Sequence, residues 1–130
     1  MADIAKLIID HLESEGITGL VQGSEKPAST SVPQKAIFVQ VRGGPPPDGF
    51  LDGGEKVHSV VNVQCMARTE PLGEKDGHDR ATSIIEALRN TTPTGLDYVH
   101  ASNPRPIPLG PDDDDVYRFT ANFQANLIES

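Results

Sequence analysis

The stretch Val57 to Leu88 constrains this chain more than any other. It opens with VHSVVNVQCMA, which sets Val57, Val61, Val63, Cys65 and Ala67 on one face. A period of two in apolar residues marks a strand with one buried side. A polar, turn-rich linker follows, Thr69 to Gly77 (TEPLGEKDG), and then RATSIIEALRN, where Ala81, Ile84, Ile85 and Leu88 fall on one helical stripe. The spacing predicts a helix entered through Asp76-Gly77-His78-Asp79, with Asp79 as its N-cap. A central strand that delivers the chain to an amphipathic helix folding back on the sheet is the core of a small α+β domain.

The flanks read in the same terms. From about Ala2 to Glu15, Ile4, Leu7, Ile8, His11 and Leu12 recur at three and four, predicting a first helix. Asp3 falls in its first turn, where a carboxylate suits the helix dipole, and Gly16 is a natural stop. Ile17, Leu20 and Val21 suggest a short extended return. AIFVQVR (Ala36 to Arg42) reads as a strand, broken by Gly43-Gly44-Pro45-Pro46-Pro47-Asp48-Gly49. Leu96 to Ser102 reads as a short strand. The prolines of Asn103 to Pro111 demote that segment to an edge or irregular piece. Tyr117, Phe119, Ala121, Phe123, Ala125 and Leu127 alternate with polar residues, so Val116 to Ile128 is a long strand expected at or beside the centre of the sheet. The expected fold is one small α+β domain over residues 1–130. Its sheet is mostly antiparallel, two α-helices pack on one face, and long loops run at about 22–35, 43–56 and 103–115.

A net charge of −8 over 130 residues argues against a chain that grips nucleic acid, because neutralising phosphates takes Lys and Arg. The N-terminal apolar run is interrupted by Asp3 and Asp10 and has no basic lead, so it reads as neither a signal peptide nor a membrane span. The one cysteine, Cys65, sits on the apolar face of the central strand and reads as a small buried hydrophobe. His11, His58, His78 and His100 are scattered without metal spacing. Asp112 to Asp115 lack the spaced ligands and turning glycine of a calcium loop and read as an acidic, solvated turn. Gly43-Gly44 leads into prolines rather than a helix, so it is no phosphate loop. These observations point to no catalytic residue, no metal and no cofactor.

Three segments carry a family likeness. They are VPQKAIFVQVRGG (Val32 to Gly44), VNVQCMARTEPLGEKDGHDRATSIIEAL (Val61 to Leu88) and IPLGPDDDDVYRFTANFQANL (Ile107 to Leu127). The first resembles a proline-led strand ending in a glycine pair. The second is similar to a strand, polar loop and small-residue-rich helix. The third is similar to a Leu-Gly and acidic turn before an aromatic, Asn-containing strand. In this order they resemble the tail terminator and minor capsid proteins of long-tailed bacteriophages. The proline-rich Asn103 to Pro111 departs from that pattern.

The resemblance implies a structural virion protein of the phage tail or neck, made in the host cytoplasm. It implies a hexameric ring that caps the tail tube, with the tail tube protein on one side and a head-completion or connector protein on the other. DNA would pass through without specific binding, and no membrane is involved. A compact chain of this length has a radius of gyration of about 14 Å, a sphere roughly 36 Å across, and six such spheres in a ring leave a hole wider than a duplex. Ring contacts would be head-to-tail. The expected contact regions are the Gly43 to Gly54 hairpin, with Phe50 and Leu51 as apolar anchors, and the Thr69 to Gly77 loop with Leu72. Arg42, Arg68 and Arg118 are expected to pair with a neighbour's acids. Three alternatives stay open. The first is another neck or minor capsid protein of this fold. The second is a monomeric or dimeric bacterial adaptor pairing through the Phe123 strand or its neighbour. The third is a small enzyme joining Asp112 to Asp115 with His100.

Overall fold

The structure, a computed structural model, describes residues 3–42 and 57–129. Eight elements follow in chain order: α1 (Ile4–Ser14), β1 (Leu20–Gln22), β2 (Ala36–Val41), β3 (Val57–Arg68), α2 (Glu74–Asn90), β4 (Tyr98–Ala101), β5 (Ile107–Pro111) and β6 (Tyr117–Glu129). The two long alternating segments pair with each other. β3 and β6 run antiparallel with Val63 opposite Phe123, Cys65 opposite Ala121 and Ala67 opposite Phe119. Antiparallel β2 adds on one side, with Val39 opposite Cys65, and the short β1 closes that side in parallel with β2. On the other side of β6, β4 and β5 lie end to end along the same edge, β4 against Phe123–Asn126 and β5 against Tyr117–Thr120. The six-stranded sheet is α+β in class and antiparallel except for β1.

Both helices cover the odd-numbered face of β3 and β6. Ile4, Ile8 and Leu12 of α1 and Ala81, Ile84 and Leu88 of α2 are buried in one cluster with Ile37, Val39, Val63, Cys65, Ala121 and Phe123. Each large aliphatic side chain buried this way contributes about 1.5–3 kcal/mol. The sequence stripes thus find their partners across the layer rather than along the chain.

Several boundaries differ from those read in the sequence. Helix α2 begins at Glu74, not near Asp79, and its N-cap is Gly73, which offers no side-chain bond. Glu74 and Asp76 fill the first turn, where their charge suits the dipole. Asp79 lies inside the helix and accepts from Lys75 Nζ at 2.9 Å, an i,i+4 pair. Asp3 is the N-cap of α1 rather than a first-turn residue, and its carboxylate accepts from the Lys6 amide. The second half of the proline-rich segment does pair, as edge strand β5. Pro108 and Pro111 flank a register shift there, and an edge tolerates their missing N–H groups. β6 has a neighbour on each side along most of its length, so pairing of the adaptor kind would fall to its neighbours β4 and β5 at the sheet edge rather than to β6. Gly43 to Gly54, with Phe50 and Leu51, lies outside the described residues.

The turn from β3 into α2 depends on two close contacts. Thr69 is buried, donates its N–H to Tyr117 O, accepts the Tyr117 N–H on Oγ1 and donates that hydroxyl to Glu70 O. Gly77 packs directly above it. A Cβ there would lie 2.3 Å from Thr69 Cγ2 and 2.9 Å from Phe119 Cδ2. Gly77→Ala should therefore destabilise the chain by about 1–3 kcal/mol in a denaturant melt, although alanine is the better helix former by about 1 kcal/mol. Thr69→Ser removes the clashing methyl but keeps the hydroxyl, so the double variant should lose less than the sum of the two. Strict additivity would show that this contact is not the cause.

Candidate functional site

The densest polar cluster forms on the other face of the sheet, at the end where β3 leaves it. Arg68 and Arg118 are cross-strand partners in the β3–β6 register, so two guanidinium groups project from one face side by side. Like charges placed this way repel. Glu25, from the loop between β1 and β2, sits between them. Its carboxylate accepts from Arg118 Nε at 3.0 Å and pairs with Arg118 Nη2 at 2.9 Å and Arg68 Nη1 at 3.1 Å. Arg68 is only 3% exposed and spends its other donors on backbone: Nε on Gln34 O at 2.7 Å, Nη2 on Pro33 O at 2.9 Å, and Nη1 also on Lys26 O. Its guanidinium lies 4.9 Å from the centre of the Phe38 ring. One side chain thus ties both ends of the loop down onto the sheet and covers Phe38.

Arg118 reaches a second acid. Its Nη1 donates to Asp112 Oδ2 at 3.0 Å. Asp112 opens the β5–β6 turn, and its Oδ1 accepts the amides of Asp114 and Val116. Asp115 adopts a left-handed conformation (φ 59°) that closes the turn. The four-aspartate run is therefore a hairpin turn built on an Asx bond. The Val116 amide, then the Arg118 guanidinium and then the Asp114 amide, each donating to it, hold the Asp112 carboxyl below its ordinary pKa. Burial alone would push Glu25 up, but the bonds from Arg118 and Arg68 outweigh it and the net shift is downward. Glu25 was not legible as a functional residue, because it lies in a loop without periodicity. The signal that could have found it is the arginine pair itself, which needs an acid.

His11, Cys65 and His100 lie apart from this cluster. His11 Nε2 meets Thr91 Oγ1 at 2.8 Å, and Thr91 Oγ1 also contacts Glu15 Oε1 and Ala87 O, a tie between the C-terminal ends of the two helices. The Cys65 thiol is fully buried, which pushes its pKa up to about 12. His100 lies opposite Gln124, seven residues along β6 from Tyr117 and the acidic turn, roughly 20 Å away at strand spacing. The proposed joining of His100 with Asp112 to Asp115 is thus not made. Among the described residues no group of three or more His, Cys, Asp or Glu is arranged to hold a metal ion, and no helix is long and apolar enough to cross a membrane.

Of the six residues expected at contacts, the four that are described are dispersed. Arg68 finds its acid within its own chain, and Arg118 likewise, with Glu25 and Asp112. Arg42 is exposed and donates to Gln64 Oε1 at 2.7 Å and Gln40 Oε1 at 3.3 Å. Leu72 is 77% exposed, at the third position of the Glu70–Gly73 turn, with φ 65°. A left-handed backbone costs a branched residue about 1–2 kcal/mol, and Leu72 gains little burial in return. Phe50 and Leu51 lie outside the described residues.

No family model matches the chain, and no curated protein matches it in sequence. Among solved structures, a chain from a structure titled "Virion of native gene transfer agent (GTA) particle" shares the fold. The TM-score is 0.67, with 13% sequence identity, over 95% of this chain and 93% of that one. Nearly the whole of both chains follows one path, and at that identity the likeness is one of fold.

Replacing Arg68 with lysine keeps the charge but cannot reach the same acceptors. Arg68→Lys should cost about 3 kcal/mol, and a glutamate-specific protease should then cleave after Glu25 in the native state. A protease-resistant loop would show that other contacts hold it. Because Glu25 is depressed in the fold, the stability it contributes is full above the ordinary glutamate pKa of about 4.3. That stability is lost as pH falls through its lower folded value. Urea melts between pH 5 and 2 should show a shallower acid limb for Glu25→Gln than for the parent.

Proposed function

We propose that this chain is a structural virion protein, a tail terminator-like subunit that forms a hexameric ring on the end of the tail tube and joins it to the head connector. The observation that carries this reading is the fold shared, over nearly its full length, with a chain of a gene transfer agent virion. Three further features support it. The segments Val32 to Gly44, Val61 to Leu88 and Ile107 to Leu127 resemble terminator proteins in order. A net charge of −8 suits a conduit through which DNA slides without being held. The side chains of Arg68, Arg118, Glu25, Asp112 and His11 are engaged in holding the fold together.

In this reading Phe50, Leu51 and Leu72 supply apolar contacts to neighbours, and the partners are further copies, the tail tube protein and a head-completion or connector protein. Multi-angle light scattering with negative-stain imaging tests it, over a concentration series and with tubes assembled from the tube protein of the same genome. Six-fold rings, free or at tube ends, are expected. A species fixed at one or two copies that ignores tubes would favour an adaptor domain instead. Phe50→Ser with Leu51→Ser should abolish rings while the monomer melts normally. Leu72→Asn relieves the left-handed strain, so the monomer should gain up to about 1 kcal/mol while ring assembly weakens. Unimpaired rings in either variant would remove those residues from the contact.

A further inference from the structure

The sheet has a face that its own helices do not touch. Read through the strand register, the even-numbered residues form rows across it: Gln40, Gln64 and Asn122 in one, and Asn62 and Gln124 in the next, beside Arg42, whose amide bonds to Asn62 O. The 23–35 loop covers only the end occupied by Arg68 and Arg118. Beyond it, among the described residues, lies a surface of side-chain amides, with Gln40, Gln64 and Asn122 half-buried and Asn62 and Gln124 exposed, on a chain of net charge −8. Arg42 lies along this surface, bonded to two amides, and among the described residues no carboxylate pairs with it.

The opposite side of the molecule has the reverse character, because α1 together with its two caps is acidic. Asp3, Asp10, Glu13 and Glu15 stand there against a single lysine, Lys6, which Asp10 already takes at 3.3 Å. In α2, by contrast, Lys75, Arg80 and Arg89 offset Glu74, Asp76, Asp79 and Glu86. An amide surface with a guanidinium that no described carboxylate compensates, and an acidic helix on the far side of the same layer, cannot meet within one chain. They can meet between chains.

We infer that the open amide face of β2, β3 and β6 docks helix α1 of a second copy of this chain, with Arg42 facing that helix's carboxylates. The contact joins two different patches, so it repeats head to tail and closes into a ring or continues as a filament. It rests on the ring reading above for its setting and specifies which faces meet. Like-with-like pairing of two amide faces would leave both Arg42 charges opposed, which disfavours a two-fold dimer through this surface.

Cross-linking tests the contact directly. Asn62→Cys places a thiol on the amide face and Lys6→Cys one on α1; both sites are exposed, and Cys65 is fully buried. The two variants are checked for native melting, mixed, and treated with a long-armed bis-maleimide over a concentration series. The mixture should yield a dimer linked from position 62 to position 6, with little product from either variant alone. Adding Arg42→Glu to the Asn62→Cys chain should cut the yield roughly tenfold or more. Asp10→Arg with Glu13→Arg on the partner should restore it. Absence of the link at every concentration, equally ready linkage of the Asn62→Cys variant to itself, or indifference to Arg42→Glu would each overturn the proposal. Rings without the 62-to-6 link would defeat this contact alone. The link in a species that never exceeds two copies would defeat the ring and the head-to-tail repeat and leave only the pairing of these two faces.

Discussion

Two arginines side by side on one sheet face are unstable company, and the way this chain resolves that repulsion organises a large part of the molecule. Arg68 and Arg118 are brought opposite each other by the register of β3 and β6, which the buried odd-numbered residues set. Once the register is fixed, an acid must come between them. Glu25 does so, and with it come the carbonyls of Lys26, Pro33 and Gln34. The loop that carries them becomes a second cover for the sheet, and Phe38 is buried beneath it although it points away from the helical core. Arg118 extends the network to Asp112 and so connects the loop to the acidic turn.

That network also explains why the chain's most conspicuous charges serve the fold. The aspartate run makes a tight hairpin, the arginines hold a loop, and the histidine of α1 ties two helix ends. The surfaces left over are of another kind. An amide-lined sheet face lies on one side, an acidic helix on the other, and an exposed leucine in a strained turn projects near the acidic hairpin, its amide bonded to Asp115 O. These surfaces of unlike character lie on opposite sides of the sheet, and the gene transfer agent virion chain shares the same path of strands and helices.

The sheet and its helices were largely legible because their signals are periodic. The alternation of Val61, Val63, Cys65 and Ala67, that of Phe119, Ala121 and Phe123, and the stripe of Ile84, Ile85 and Leu88 each give the element and its buried side without a partner in view. Boundaries were less legible where a turn competes with a cap. Asp79 has the right chemistry for an N-cap, but the Leu72–Gly73 turn launches α2 earlier, and a lysine at i−4 then takes that carboxylate. The proline-rich segment was ambiguous because proline forbids a central strand and permits an edge, and only a neighbouring strand decides between them.

The sequence alone determined the class of the fold, the inward faces of β3, β6 and both helices, the acidic character of the chain and the turn chemistry of its aspartates. These depend on residues within a few positions of one another, where period and local geometry suffice. The tertiary structure decided which charges meet. Glu25 lies 43 positions from Arg68 and 93 from Arg118, and no local pattern links them. It likewise decided that Arg68 is consumed inside the chain while Arg42 lies on an open face. A charged side chain's role follows from the groups brought within a few ångströms of it, and strand register and loop path fix those groups.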